Sequence, residues 1–387
     1  MKVLYFMNHV DQGGAALALY DLIFEIKKEA DITPIVITGK KNSLNKMLTD
    51  IGVENYSAPF KNFMSSYKEP TQIYKVLLKI RYILGLHLAI HKIEKSIDFS
   101  TVDIIHSNLN RIDIGTILAK KYNIPHIWHI REHADGRDFK LISVKKDSIS
   151  YMNSFDSYFI TISQSVKNAW NKKGLFIKNE SLIYDGIRTE LYNSEQDKSG
   201  KKVKMIFLGG YTKNKGQEDL IDALNDISES LKNKFVIDFY GNGKTEYVEY
   251  LNKKICKSDL SECMKIHSYQ PDIWKKVPEY DVGLTCSRVE GFGRVTVEYM
   301  MSGLCPIVSD SGANLEIVQD RKNGIIYKAL NGDALKAAII WAVNNRKTVN
   351  KIGLAAEAYA KKNFSMEIHA KRVKKLYLKA LEDNKNE

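Results

Sequence analysis

Residues 286–308 read C-S-R-V-E-G-F-G-R-V-T-V-E-Y-M-M-S-G-L-C-P-I-V, and the pattern of this stretch decides the fold. The run ahead of it, Val282–Thr285, is short and mostly apolar, as a buried parallel strand is. Gly291-Phe292-Gly293 makes a turn, Arg294–Met301 can form a helix that stops near Gly303, and 304–308 is apolar again. Strand, glycine turn, helix and strand in this order make one unit of a doubly wound α/β sheet. Two acids, Glu290 and Glu298, lie in it with seven residues between them. Eight helical steps rise roughly 12 Å and leave their ends about 80° apart, so the glycine turn must re-aim Glu290. The open start of the helix is a seat for phosphate. Two acids flanking such a seat can grip both ends of a diphosphate-bridged ligand. The plain alternative is one capping acid and one solvated acid.

At 387 residues the chain is too long for one ordinary core and fits two domains of about 190 residues. A hydrophobic share of 44% beside a charged share of 27% marks a globular chain rather than a disordered one. Cys256, Cys263, Cys286 and Cys305 form no C-x-x-C pair and are expected to be reduced, in a cytoplasmic protein. The first residues lack the apolar core and cleavage site of a signal peptide, and no apolar run is long enough to span a bilayer. The net charge of +12 favours polyanions: nucleic acid, anionic lipid or phosphorylated substrates.

Outward from the opening stretch, Val203–Leu208 is an apolar strand followed by Gly209-Gly210-Tyr211-Thr212-Lys213-Asn214-Lys215-Gly216 and a helix over 217–227. A glycine loop with lysines ahead of a helix suits a diphosphate. Strands are expected at 235–240, 264–267 and 324–327, and helices at 334–343 and 364–381. In the first half, Lys2–Met7 reads as a strand, Gly13-Gly14 as the turn after it, and the residues to 26 as a helix. Further strands are expected at 35–38, 103–106, 125–130 and 158–162, with helices at 44–51, 115–122 and 166–171. His129, Arg131, Glu132 and His133 fall at the C-terminal end of the 125–130 strand, where ligands gather in open parallel sheets. Residues 62–95 interleave Lys68, Lys75, Lys79, Arg81, His87, His91, Lys92 and Lys95 with Ile73, Val76, Leu77, Ile80, Ile83, Leu84, Leu86, Leu88 and Ile90. This reads as one basic amphipathic helix, or two broken near Gly85. It either packs with its lysines solvated or lies on anionic lipid. The polar stretch 193–202 reads as a linker.

Ser287-x-x-Glu290-Gly291-Phe292-Gly293, then Glu298, then Gly303-x-x-Pro306, resembles the signature of nucleotide-sugar glycosyltransferases with the GT-B fold. More narrowly it resembles the retaining family four, the glycosyl transferases group 1. Lys215-Gly216 matches the end of that family's G-R-(four residues)-K-G loop, with Gly210 where the arginine stands. Arg131 occupies the place of a usual histidine, and Asp185 that of a commoner asparagine. Residues 309–316 resemble its G-G-x-x-E turn, with Ala313 for the second glycine. The resemblance covers nearly the whole chain and is most specific over 203–327.

The resemblance implies two Rossmann-like α/β domains facing an interdomain cleft. Residues 1–195 would form the acceptor domain, 196–365 the nucleotide-sugar domain, and 366–387 a helix crossing back to the first. It implies retaining transfer from a UDP- or GDP-sugar to a glycan or lipid-linked acceptor in cell-surface polysaccharide synthesis, on the inner face of the membrane. No metal or cofactor is implied, and no Asp-x-Asp metal clamp appears. Glu290, His129 and Arg131 are the implied catalytic set. Gly13, Gly14, Lys215, Gly291, Phe292, Gly293, Arg294 and Glu298 are the implied substrate-binding set. An inactive GT-B binding subunit and a GT-B sugar epimerase are the competing readings. A nucleic-acid binder is set aside, since no aromatic-basic motif supports it.

Overall fold

The computed structural model describes residues 1–8, 13–67, 71–134, 140–145, 147–175, 179–192 and 200–386. Most of the expected linker, and residues 9–12 of the first glycine turn, lie outside the described residues. The chain divides into two units: Met1–Gly186 with Met366–Glu387, and Ile187–Ser365.

The first unit holds β1 (Lys2–Met7), β2 (Thr33–Thr38), β3 (Glu54–Ser57), β4 (Met64–Tyr67), β5 (Ile104–Ser107), β6 (His126–Ile130), β7 (Lys140–Ser143), β8 (Tyr158–Thr161) and β9 (Asn179–Leu182). Its main sheet has seven strands in the order β3-β2-β1-β5-β6-β8-β9, all pairs parallel. β4 and β7 form a separate antiparallel pair. β1 lies centrally, so Val3, Leu4, Tyr5, Phe6 and Met7 are all buried, which is why it reads as an unbroken apolar run. Val373, Tyr377 and Ala380 of the C-terminal helix Met366–Asn386 belong to this unit's core.

Residues 62–95 differ from expectation in two ways. Met64–Tyr67 is a strand, and the helix starts only at Gln72, where Thr71 caps it by accepting from the Tyr74 N–H. Nor does Gly85 break it: Gln72–Ser96 runs through without interruption. The glycine serves a close approach instead, since a Cβ there would stand 2.7 Å from the carbonyl oxygen of Pro59.

The second unit holds β10 (Val203–Leu208), β11 (Phe235–Gly241), β12 (Met264–Ser268), β13 (Val282–Thr285), β14 (Cys305–Ser309) and β15 (Ile325–Tyr327). They form one parallel sheet in the order β12-β11-β10-β13-β14-β15. The helix after the glycine turn spans Arg294–Met301, as its spacing predicts. The 217–227 helix is shorter, Gln217–Ala223. Two helices that the sequence reading passed over, Thr245–Lys257 and Arg346–Phe364, also belong to this unit. The β10–β13 ladder pairs only Met205 with Val282 and Ile206 with Gly283. Beyond it, the Tyr299 hydroxyl accepts the Leu208 N–H at 2.6 Å. The Tyr299 ring fills the space above Gly283, where a Cβ would meet it at 2.2 Å. None of the four cysteines is in a disulfide among the described residues, and burial pushes the Cys286 thiol up to about 12, which leaves it inert as a nucleophile.

Candidate active site at two strand-end clusters

In the second unit every loop singled out in the sequence leaves the C-terminal end of a parallel strand. The 209–216 loop follows β10, 286–293 follows β13, and 310–313 follows β14. That edge of an open parallel sheet is where ligands bind. The loops pack on one another through backbone, which accounts for their glycines. Gly216 has φ +79°, and a Cβ on it would stand 2.2 Å from the Cys286 oxygen. Gly312 has φ +56°, and a Cβ there would stand 2.1 Å from the Glu290 oxygen. The same Glu290 oxygen accepts from the Ala313 N–H at 3.1 Å, and the Arg288 N–H donates to Asn214 at 2.8 Å. Ser309 and Ser311 both donate from their hydroxyls to the Ser287 oxygen at 2.7 Å. Glu290 is thus fixed by two neighbouring loops before any ligand is considered.

The side chains follow from this frame. Lys215 reaches both carboxylate oxygens of Glu290, at 3.3 and 3.1 Å. Arg294 lies 3.7 Å from Glu298, one helical turn on. Gly293, in the left-handed region with φ 92°, begins the Arg294–Met301 helix, and no side chain caps that start. An uncapped helix start with two cations beside it attracts a diphosphate. Phe292 turns its ring into the interior against Phe364, so only its backbone faces the turn. The structure therefore brings Lys215, Glu290, Gly291, Gly293, Arg294 and Glu298 onto one pair of linked loops and a helix start. At Gly210, where the resembled family has arginine, the backbone oxygen accepts from the Gln217 side chain at 3.0 Å. Tyr240 stacks on His267 with centroids 4.5 Å apart, and Tyr211 donates to the His267 oxygen at 2.6 Å. The two rings of this aromatic shelf, at the ends of β11 and β12, are 27 residues apart in sequence and are paired by the sheet register.

The first unit gathers its own cluster at the ends of β1, β5 and β6. Arg131 donates from Nη1 to Asp185 at 2.5 Å and from Nε to Asn108 at 2.9 Å. The Asn108 amide in turn donates to the Ala15 oxygen at 3.1 Å, in the first turn of the helix that Gly13 precedes and Gly14 opens. His129 Nδ1 lies 3.2 Å from His106 Nε2 and 3.4 Å from Arg131 Nη2. Guanidinium can only donate, so His129 Nδ1 is the acceptor and its proton sits on Nε2. That Nε2 is buried without a hydrogen-bond partner among the described residues. The Tyr377 hydroxyl lies 2.6 Å from His106 Nδ1 and 3.1 Å from the Tyr5 hydroxyl. Burial, with Arg131 adding to it, holds both His106 and His129 well below the ordinary histidine range, so both are neutral. Asn108 is the residue that sequence reasoning missed here. It joins the Gly13–Gly14 turn to Arg131, and only the fold reveals it. The two departures from the family pattern in this unit, Arg131 and Asp185, turn out to be partners.

Residues 189–359 match the family model described as glycosyl transferases group 1. An uncharacterized glycosyltransferase of Methanocaldococcus jannaschii is 28% identical over 74% of this chain and 78% of its own length. The capsular polysaccharide biosynthesis glycosyltransferase CapH of Staphylococcus aureus is 21% identical over 82% of this chain and 84% of its own. Among solved structures, Anabaena HepE in complex with UDP-glucose superposes with a TM-score of 0.78 at 20% identity, covering 97% of this chain and 98% of HepE. The two parallel sheets are those of the GT-B fold, and the chain resembles the glycosyl transferases group 1, whose family model matches residues 189–359.

Proposed function

We propose that this chain transfers a sugar, with retention of anomeric configuration and without a metal, from a UDP- or GDP-sugar to a glycan or lipid-linked acceptor. The setting is cell-surface polysaccharide synthesis, at the inner face of a membrane. The observation that carries the reading is the Lys215–Glu290 contact beside the uncapped helix start at Gly293. Breaking the bond between a sugar and a diphosphate puts negative charge on the leaving group. Lys215, Arg294 and the N–H groups from Gly291 through Gly293 are the means of holding that charge. Glu298 is assigned to the ribose hydroxyls and Glu290 to the hydroxyls of the transferred sugar. Phe292 contributes its amide. In the first unit, Gly13 and Gly14 are assigned to the phosphate or acceptor, and the buried Arg131 and His129 to positioning of that turn through Asn108. The names of CapH and of the lipopolysaccharide core mannosyltransferase LpcC of Rhizobium leguminosarum support the surface-polysaccharide setting. HepE, solved with UDP-glucose, supports the donor class.

The test is thermal melting with a panel of UDP- and GDP-sugars, followed by transfer assays with the protective donor. One nucleotide class should raise the melting temperature, because it binds only the folded chain. Glu298→Ala should weaken that protection. Glu290→Ala should abolish transfer with the fold intact. Protection by no nucleotide sugar, or full turnover in Glu290→Ala, overturns the reading.

A further inference from the structure

The Gln72–Ser96 helix has two apolar faces. Tyr82, Gly85, Ala89 and Ile93 are buried on one. On the other, Ile73, Val76, Leu77, Ile80, Leu84 and Leu88 are open to solvent, with Ile73 75% and Leu88 62% exposed. At 100° per residue these six fall within an arc of about 120°, roughly opposite the buried face. A contiguous ridge of that length on a folded chain marks a surface made to be covered. Arg81 and Lys92 border the ridge on one side and Lys79 on the other, and all three are exposed. Long cationic side chains flanking an apolar ridge suit a helix lying in the headgroup region, where their stems are buried and their charges meet phosphate. Among the described residues no helix is long and apolar enough to cross a membrane.

Next to the first turns of the helix lies a cavity of about 230 Å³, lined by Lys61, Lys75 and Arg81 together with Asn62, Tyr74 and Tyr82. No carboxylate lines it among the described residues. Lys145 stands behind it, 5.1 Å from the Tyr82 ring centre and 4.4 Å from that of Tyr151. The three cations in the lining of a cavity of this size, with no acid in that lining, fit a phosphate group, while Lys145 answers the buried Asp113 to which both tyrosines donate. The charge pattern also selects what covers the ridge. The helix carries Lys75, Lys79, Arg81, Lys92 and Lys95 against a single acid, Glu94, which is already paired with Lys121. A second copy of the helix would set like charges side by side, whereas an anionic bilayer complements them.

We propose that the Gln72–Ser96 helix docks on an anionic bilayer, its Ile73-to-Leu88 ridge entering the boundary between headgroups and acyl chains and one lipid phosphate seated between Lys61, Lys75 and Arg81. This rests on the membrane-proximal part of the proposed function and adds the surface, the lipid charge and a headgroup site. The experiment is flotation of the full chain with vesicles of phosphatidylcholine alone, or of phosphatidylcholine with one-third phosphatidylglycerol. Binding is expected only to the anionic vesicles. Leu84→Asp with Leu88→Asp should abolish it and leave the melting temperature unchanged, since both side chains are exposed. Lys75→Gln with Arg81→Gln should lower partitioning roughly thirtyfold. Lys92→Gln with Lys95→Gln, away from the cavity, should cost less. Absent binding, or equal binding to neutral vesicles, overturns the docking. So does a solution dimer that Leu84→Asp with Leu88→Asp makes monomeric. Equal losses from the two cation pairs overturn the headgroup site. No nucleotide sugar enters the measurement, so docking can fail while donor binding and transfer stand.

Discussion

The strand-end cluster of the first unit is sealed and that of the second is open. Arg131 and Asp185 are 2% and 5% exposed, and their neighbours Asn108, His106 and His129 are fully buried. Lys215 and Glu290 are 34% and 14% exposed. Both clusters place charge past the C-terminal ends of parallel strands, so topology is not what separates them. The difference is what water can reach. A sealed ion pair has lost its hydration, and its charges depend on each other and on fixed dipoles. An open pair keeps part of its hydration, so a ligand can take over either partner at little cost. The same edge of the same kind of sheet thus holds a structural ion pair in one unit and an exchangeable one in the other.

Acid should separate the two most widely. His126 sits between the Ser107 and Ser157 hydroxyls, and burial lowers its pKa to about 3. His106 and His129 are lowered in the same direction by burial. The unfolded chain therefore takes up protons first as the pH falls. Stability is complete above about pH 6.5 and is lost from there down toward the folded values. His126 alone accounts for about 5 kcal/mol over that window, and the other two add to it. The second unit has one histidine, His267, and it is not fully buried. Hydrogen exchange read by mass spectrometry from pH 7 to pH 4 should show protection lost in residues 1–186 before 187–365. The reverse order breaks the contrast.

The buried pair comes next. Asp185→Ala strands Arg131 and should cost about 3–5 kcal/mol in denaturant unfolding. Arg131→His combined with Asp185→Asn restores the neutral pairing that the family pattern suggests. It should cost clearly less than the sum of the two single changes. Additive losses would mean that the two departures are independent, and the sealed cluster would lose its description as a matched pair.

What could be read from the sequence follows the same divide. The sheets were legible because central parallel strands such as β1 are buried on both faces and show as apolar runs. The open cluster was legible because Glu290, Gly291, Gly293, Arg294 and Glu298 lie within nine residues, and local spacing encodes a turn and a helix start. The sealed cluster was not. Arg131 and Asp185 are 54 residues apart, and His106 meets Tyr377 across 271. No periodicity relates such positions; only the assembled parallel sheet and the C-terminal helix bring them together. The Gln72–Ser96 helix was half legible for another reason. With apolar residues on both faces its amphipathic signal blurs, and Gly85 then looks like a break although it marks a close approach to Pro59.

Lys215→Ala gives the smallest effect on folding and sharpens the contrast most. If the open pair is exchangeable, removing its cation should change stability by under about 1 kcal/mol, because Glu290 can still be reached by water. The same change removes a charge aimed at the diphosphate leaving group. Such contributions act where water is displaced, and losing one should lower kcat by about 10²–10³. Stability and turnover would then respond oppositely to the two ion pairs: the sealed one governs folding, the open one governs rate. Melting curves and initial rates on the same preparation decide it. A Lys215→Ala protein that unfolds several kcal/mol earlier, or turns over at the unmodified rate, would place Lys215–Glu290 among the structural pairs. The diphosphate charge would then fall to Arg294 and the helix start at Gly293.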